Sequence, residues 1–260
     1  MLHIFKHIDL NLWLLRKILT IILFSQTYIS YNQTTIIAIR LNDTIIIGAD
    51  SKAHNFKKSW NVCKIYKYKN FYYAVSGISS DTIYNFDLEV IINKNVDANR
   101  EIFLTLDSLN YALCDSLINY LKRIKFNRPY VYNEFITKYR GIKIIFAIIS
   151  YQIPFLVGAE YYVEYDSTMM NYYIKYKNTF CPGDSKASSN IMIIGQHKAI
   201  DGYLEDHPGF WEKNPVEAIN FLIKLEIKSN PDKVGKPIDI IQITKNNYKW
   251  IQCKPECKNF

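Results

Sequence analysis

The hydrophobic pattern predicts a layered α+β fold over residues 34–260. Three observations lead there. Alternating apolar runs gather toward the two ends of that stretch, a helical period fills its middle, and no linker, repeat or low-complexity segment divides it. Strands, helices, strands, one helix and strands again is an order unlike the regular βαβα alternation of a parallel sheet. Of the 260 residues, 49% are hydrophobic and 22% charged, the balance of a globular chain rather than a disordered one.

Thr34-Thr35 opens an alternating strand over 34–41. Asn42-Asp43 turns it, and a second apolar strand over 44–49 ends abruptly in Gly48-Ala49-Asp50. A short strand runs from Cys63 to Tyr68, and "FYYAVSG", Phe71 to Gly77, is a strand closing on a glycine. "SDTIYNFDLEVIIN" reads as a helix with Ser80 or Asp81 as its N-cap. Asn99 to Ile124 sets Ile102, Leu106, Leu109, Leu113, Leu117 and Leu121 at helical spacing. Strands return in "IKIIFAIISY", "IPFLVGAEYYVEY", "MNYYIKYK" and "NIMIIGQ". "NPVEAINFLIKLEIK" is a helix capped by Asn214, with Pro215 at its first position. "PIDIIQIT" and "YKWIQ" close the chain as strands.

Residues 1–33 read as a signal peptide or N-terminal propeptide. Arg16 and Lys17 precede a short apolar centre, Ile18 to Phe24, and a polar exit follows. A membrane-spanning helix needs about 20 apolar residues, and the two cations interrupt this one. Export to the periplasm or the medium is therefore expected. The other arrangement is an uncleaved segment, extended by Leu10 to Leu15, that anchors the protein to a membrane.

The net charge of +8 suggests an acidic partner at first, but the lysines are scattered and the densest run is "KSWNVCKIYKYK". No zinc-finger spacing, RNP-type aromatic motif or basic helix accompanies them, so no nucleic acid is expected as a partner. The 21 Tyr, with abundant Ile, Lys and Asn, follow from AT-rich codons. Cys63, Cys114, Cys181, Cys253 and Cys257 contain no C-x-x-C pair and no matching histidines, hence no metal site. Cys253 and Cys257 can bridge to each other or to Cys181, and the odd total leaves one thiol over.

Chemistry concentrates in Thr34 to Asp81. Asp50 lies sixteen residues after Thr34, "CKI" brings Lys64, and "VSGISSD" brings Gly77 and Asp81. A threonine hydroxyl needs a base before it attacks a carbonyl. If Thr34 is the chain terminus its own amine, with an unperturbed pKa of roughly 7.7–8, supplies that base. A nearby ammonium favours the neutral amine, and an aspartate holds that ammonium in place.

These four elements, in this order, resemble the catalytic subunits of the proteasome within the N-terminal nucleophile (Ntn) hydrolase superfamily, here as an exported, divergent branch. The resemblance implies a four-layer αββα sandwich, two antiparallel sheets flanked by helices. It implies a threonine peptidase or amidase that processes itself and uses no cofactor. Thr34 would be the nucleophile, Asp50 and Lys64 its support, Gly77 an oxyanion donor and Asp232 a second supporting carboxylate. A peptide or amide is the implied substrate and a homo-oligomer the implied assembly.

Departures from the family pattern are specific. Lys64 comes two residues early, Gly235 and Gln196 stand where serines are usual, and Gln33 stands where self-cutting members carry glycine. His197 beside Gln196 is a further polar candidate. "FCPGD" around Cys181 and the ending "NNYKWIQCKPEC" have no counterpart in the proteasome subunits. If the Gln33–Thr34 bond stays intact, the amine base is missing. The chain is then a non-catalytic Ntn-fold binding or assembly protein. A basic surface-binding protein, with salt-dependent affinity for polyanions, is the third reading.

Overall fold

The computed structural model of the chain describes residues 29–32, 34–54, 59–96, 102–139, 141–150, 152–166, 168, 171–182 and 190–258. Its organising unit is the hairpin of β2 (Thr35–Arg40) and β3 (Thr44–Asp50), paired from Ile36↔Ala49 to Arg40↔Ile45. The Leu41 N–H closes the turn on the Thr44 carbonyl at 2.8 Å. Both strands are apolar on both faces and both faces are covered. Ile36, Ala38, Ile45, Ile47 and Ala49 pack toward the other sheet, while Ile37, Ile39 and Ile46 pack toward helices.

Around this hairpin a five-stranded sheet runs β12-β2-β3-β13-β14, with β12 (Ile191–Gly195), β13 (Ile238–Thr244) and β14 (Tyr248–Gln252). Among the described residues the larger sheet has nine strands. Its path is β11 (Asn171–Cys181), β10 (Ile153–Asp166), β9 (Gly141–Ser150), β7 (Phe71–Asp81), β1 (Ile29–Asn32), β4 (Lys52–His54) and β5 (Ser59–Asn61). Two short strands, β6 (Ile65–Tyr68) and β8 (Phe86–Asp87), also pair with β7. Every ladder among the described residues is antiparallel.

Three apolar clusters join these sheets and the helices α1 (Leu88–Asn95), α2 (Ile102–Asn127), α3 (Pro129–Glu134), α4 (Lys198–Asp206) and α5 (Pro215–Ser229). One binds α1, α2 and α3 to the nine-stranded sheet through residues such as Leu109, Leu113, Phe146 and Tyr161. A second lies between strands of the two sheets, with Ile36, Ile47, Ala74, Ile145 and Ile241. The third joins Ile37, Ile39 and Ile240 to Ile219, Leu222 and Ile223 of α5. The fold is mixed α/β, with antiparallel sheets and helices against them.

Several expectations shift. The helix expected from Ser80 or Asp81 starts at Leu88, capped by Asp87, whose carboxylate accepts from the Val90 N–H. Ser80 and Asp81 stay in the sheet because β7 runs on to pair with both β1 and β8. Asp81 turns its carboxylate to the Ile83 N–H and the Tyr120 hydroxyl, bracing the turn that follows. The last residues of the expected removable segment form β1, a strand the sequence pattern did not mark. Asn214 and Pro215 start α5 as expected. Among the described residues no helix is long and apolar enough to cross a membrane. The basic and apolar leader over 10–24 lies outside the described residues.

Candidate active site

Thr34 lies immediately before β2, and the hairpin register carries the end of β3 back beside it. The Thr34 hydroxyl donates to Asp50 Oδ1, and the Thr35 N–H donates to the same oxygen at 2.9 Å. Lys64, just before β6, reaches in with its ammonium. Nζ donates to Thr34 Oγ1 at 2.6 Å, to Asp50 Oδ1 at 2.9 Å and to the Lys52 carbonyl at 2.6 Å. Thr34, Asp50 and Lys64 are all fully buried.

An ammonium has three N–H donors and no acceptor, and here each donor has one acceptor. The contacts therefore fit charged Lys64. Burial pulls its pKa from 10.5 down to about 8 against the opposing pull of Asp50. The Asp50 charge and hydrogen bond favour the cation, Lys254 opposes it, and Asp239 adds a smaller favourable field. The other Asp50 oxygen accepts from the Lys52 and Gly235 N–H groups, both at 3.0 Å. Five donors thus converge on one buried carboxylate.

One glycine lets a backbone close on this cluster. Gly195 has φ of +89°, and a Cβ there would lie 1.8 Å from the Thr34 carbonyl oxygen. Only glycine allows that approach. The next residue uses its backbone rather than its side chain: the Gln196 N–H donates to the Thr34 carbonyl at 2.7 Å, and its carbonyl accepts from the Thr35 hydroxyl at 2.6 Å. Gly77 has φ of +106° and lies opposite Asn32 of β1 and Ile142 of β9. It therefore faces the segment just ahead of Thr34.

Of the sequence-predicted site residues, Thr34, Asp50 and Lys64 come together, and Gly77 lies beside the approach to Thr34. Asp232 does not join them. It is exposed in the turn over 231–233, and the contact from that region comes instead from the Gly235 backbone. His197 also turns elsewhere, its Nδ1 2.6 Å from Asp201 Oδ2.

The disulfide differs from the expected pairings. Cys63 bonds Cys257, with Cα atoms 5.4 Å apart, while Cys114, Cys181 and Cys253 take part in no disulfide. The tail after β14 folds back past β13, which brings residue 257 beside 63 across 194 positions of sequence. Asp239 lies near this bond, but the two sulfurs are spent on each other and the carboxylate on Lys254. Ser51, Asp239 and Lys254 form a buried cluster that sequence reasoning missed. The available signal was an aspartate inside the apolar run "PIDIIQI" and a lysine between two cysteines.

No family model and no curated protein matches the chain. Among solved structures it is similar to the Anbu (Gly-1) mutant from Hyphomicrobium sp. strain MC1. The TM-score is 0.53 and the identity 13%, over 86% of this chain and 89% of that one. Shared geometry at so little shared sequence establishes a distant proteasome-like fold.

Proposed function

We propose that this chain is a threonine-nucleophile amide or peptide-bond hydrolase, acting through the freed N-terminus of Thr34. The observation that carries the reading is the closed contact of Thr34 Oγ1 with the Lys64 ammonium and the Asp50 carboxylate. The finer reading of the architecture, an αββα sandwich of the Ntn type, goes with it.

The chemistry starts with release of residues 1–33, which exposes the Thr34 amine. That amine takes the hydroxyl proton, directly or through a water, as Oγ1 attacks the substrate carbonyl. Lys64 stabilises the oxygen that loses its proton and keeps the neighbouring amine neutral. Asp50 holds Lys64. The Gly77 N–H is the oxyanion donor assigned in this reading, and losing such a donor costs about 10²–10³ in rate. The amine then protonates the leaving nitrogen, and water hydrolyses the acyl–threonine ester. Substrate shape follows from the sheet. β1 lies antiparallel between β7 and β4, so its departure leaves a strand-shaped slot fitted to an extended peptide. The Cys63–Cys257 bond supports an oxidising compartment, hence export.

One observation favours a second reading, a non-catalytic binding or assembly protein. In the uncut chain β1 is a sheet member and Thr34 has no exposed surface, so the hydroxyl meets no substrate. Intact mass of the purified protein separates the two. The hydrolase reading expects a chain beginning at Thr34 that cleaves peptide amides, and a Thr34→Ala variant that keeps its circular dichroism and cleaves nothing. A chain that retains Gln33 and is inert supports the second reading.

A further inference from the structure

Behind the Thr34 cluster lies a second buried group that the proposed reaction leaves unused. The Ser51 hydroxyl donates to Asp239 Oδ2 at 3.0 Å and accepts from Lys254 Nζ at 2.5 Å. Lys254 also binds the Asp239 carboxylate through Nζ, and its N–H donates to Asp239 Oδ1 at 2.9 Å. In an open cleft a serine against a lysine amine is a nucleophile and its base. Here Ser51 and Asp239 have no exposed surface, and the amine is already engaged by a carboxylate. The arrangement holds rather than reacts.

Covalent neighbours tie this group to the first. Ser51 follows Asp50, and Cys63 precedes Lys64. The Val62 N–H donates to the Ser51 carbonyl at 2.9 Å, so the two segments are joined by backbone as well. The Cys63 sulfur is bonded to Cys257, three residues beyond Lys254, and the Cys257 N–H closes on the Lys254 carbonyl at 3.1 Å. The tail is thus pinned at both ends of a short turn, with Lys254 under β3 and Cys257 against the residue next to Lys64.

We propose that the C-terminal tail is a disulfide-locked strap, and that Ser51, Asp239 and Lys254 are positioning residues holding Asp50 and Lys64 from behind. The purpose of the strap rests on the hydrolase reading; its geometry does not. Four charges, Asp50, Lys64, Asp239 and Lys254, pack here with alternating sign, and the three others bear on Lys64 from β3, β13 and the tail. Removing Lys254 takes a like charge away from Lys64 and leaves Asp239 without its cation. Opening the disulfide with a dithiol puts two electrons and two protons into the S–S bond. Two thiols result, the dithiol closes to its own disulfide, and the tail loses its covalent attachment.

The test is a ¹³C NMR titration of the Lys64 side chain in the full chain labelled with ¹³C-lysine. With the bond closed, the midpoint is expected at about 8. In Lys254→Met, in Cys63→Ser/Cys257→Ser and in wild type reduced with dithiothreitol it is expected to rise by about one unit or more, toward an ordinary lysine. Lys254→Arg keeps the original midpoint. Should Lys254→Met not fold, the reduced wild-type chain carries the same measurement. A midpoint that stays put in both the double-serine variant and the reduced protein overturns the strap. A shifted midpoint in a protein that cleaves no amide leaves the strap standing and removes the hydrolase reading.

Discussion

Replacing Asp50 with asparagine keeps the outline of the side chain and removes its charge. The carboxylate accepts from the Thr34 hydroxyl, the Thr35 N–H and Lys64 Nζ on one oxygen, and from the Lys52 and Gly235 N–H groups on the other. An amide brings one oxygen to these five donors. Its NH₂ must then confront either the Lys52 and Gly235 N–H groups or the Lys64 ammonium. Each buried donor left without an acceptor costs about 1–3 kcal/mol. Breaking one side of a buried ion pair costs about 3–5 kcal/mol. These overlap rather than add, so the expected loss is about 5 kcal/mol, at the low end of a domain's whole stability. Urea unfolding followed by far-UV circular dichroism reads it. In a Lys64→Met background the same substitution is expected to cost about 2–3 kcal/mol less, because the cation it would strand is gone. A loss below about 1 kcal/mol in the wild-type background, the range of an exposed pair, would show that the buried hub does not exist as described.

Gly195→Ala places a methyl 1.8 Å from the Thr34 carbonyl oxygen at a φ of +89°, so it is expected to lower the melting temperature by several degrees and displace Thr34. Differential scanning calorimetry checks the first effect, and an unchanged transition would contradict the close approach. Lys64 titrates at about 8 folded against 10.5 in the free side chain. Below both values its protonated form carries the full burial penalty. Between them the unfolded chain holds more protons, so stability rises with pH through that window. Subtracting the same curve for Lys64→Met isolates the rise, and a flat difference between pH 8 and 10.5 would argue against the shift. Amide hydrolysis by the processed chain is expected to follow a bell, with the Thr34 amine on the acid limb and Lys64 on the alkaline limb near 8. Lys64→Arg should extend the alkaline limb upward, since arginine keeps its proton; a limb that does not move would assign it to another group.

The part of the site that could be read from sequence is the part governed by local register. Thr34 and Asp50 are held by one two-strand hairpin, so their spacing along the chain fixes their meeting in space. Lys64 was legible because it lies only 14 positions after Asp50, at the start of a short strand that the apolar pattern marks. Asp232 failed for the converse reason. Its loop does reach Asp50, but through the Gly235 N–H, and a backbone group leaves no trace in residue identity. The cysteine pairing and the Lys254 contact join the tail to segments about 200 positions away, which no periodicity encodes. The helix expected at Ser80 was a conflict between good capping residues and a sheet that still had ladders to complete. Pairing on both sides of β7 prevailed over the local cap. β1 escaped notice because four residues are too few to set a period.

The order of the nine-stranded sheet has one more consequence. Among the described residues, β4 and β5 form a ribbon that joins the sheet ladder only through β1. A chain cut before Thr34 therefore keeps its ribbon on one bank of a gap and β7 on the other. Whatever extended segment enters is then a structural member as well as a guest, and occupancy and folding become linked equilibria. At a hundredfold excess over its dissociation constant such a guest adds about 2.7 kcal/mol to stability. The melting point of the shortened protein should accordingly track the concentration of the peptide that fits it.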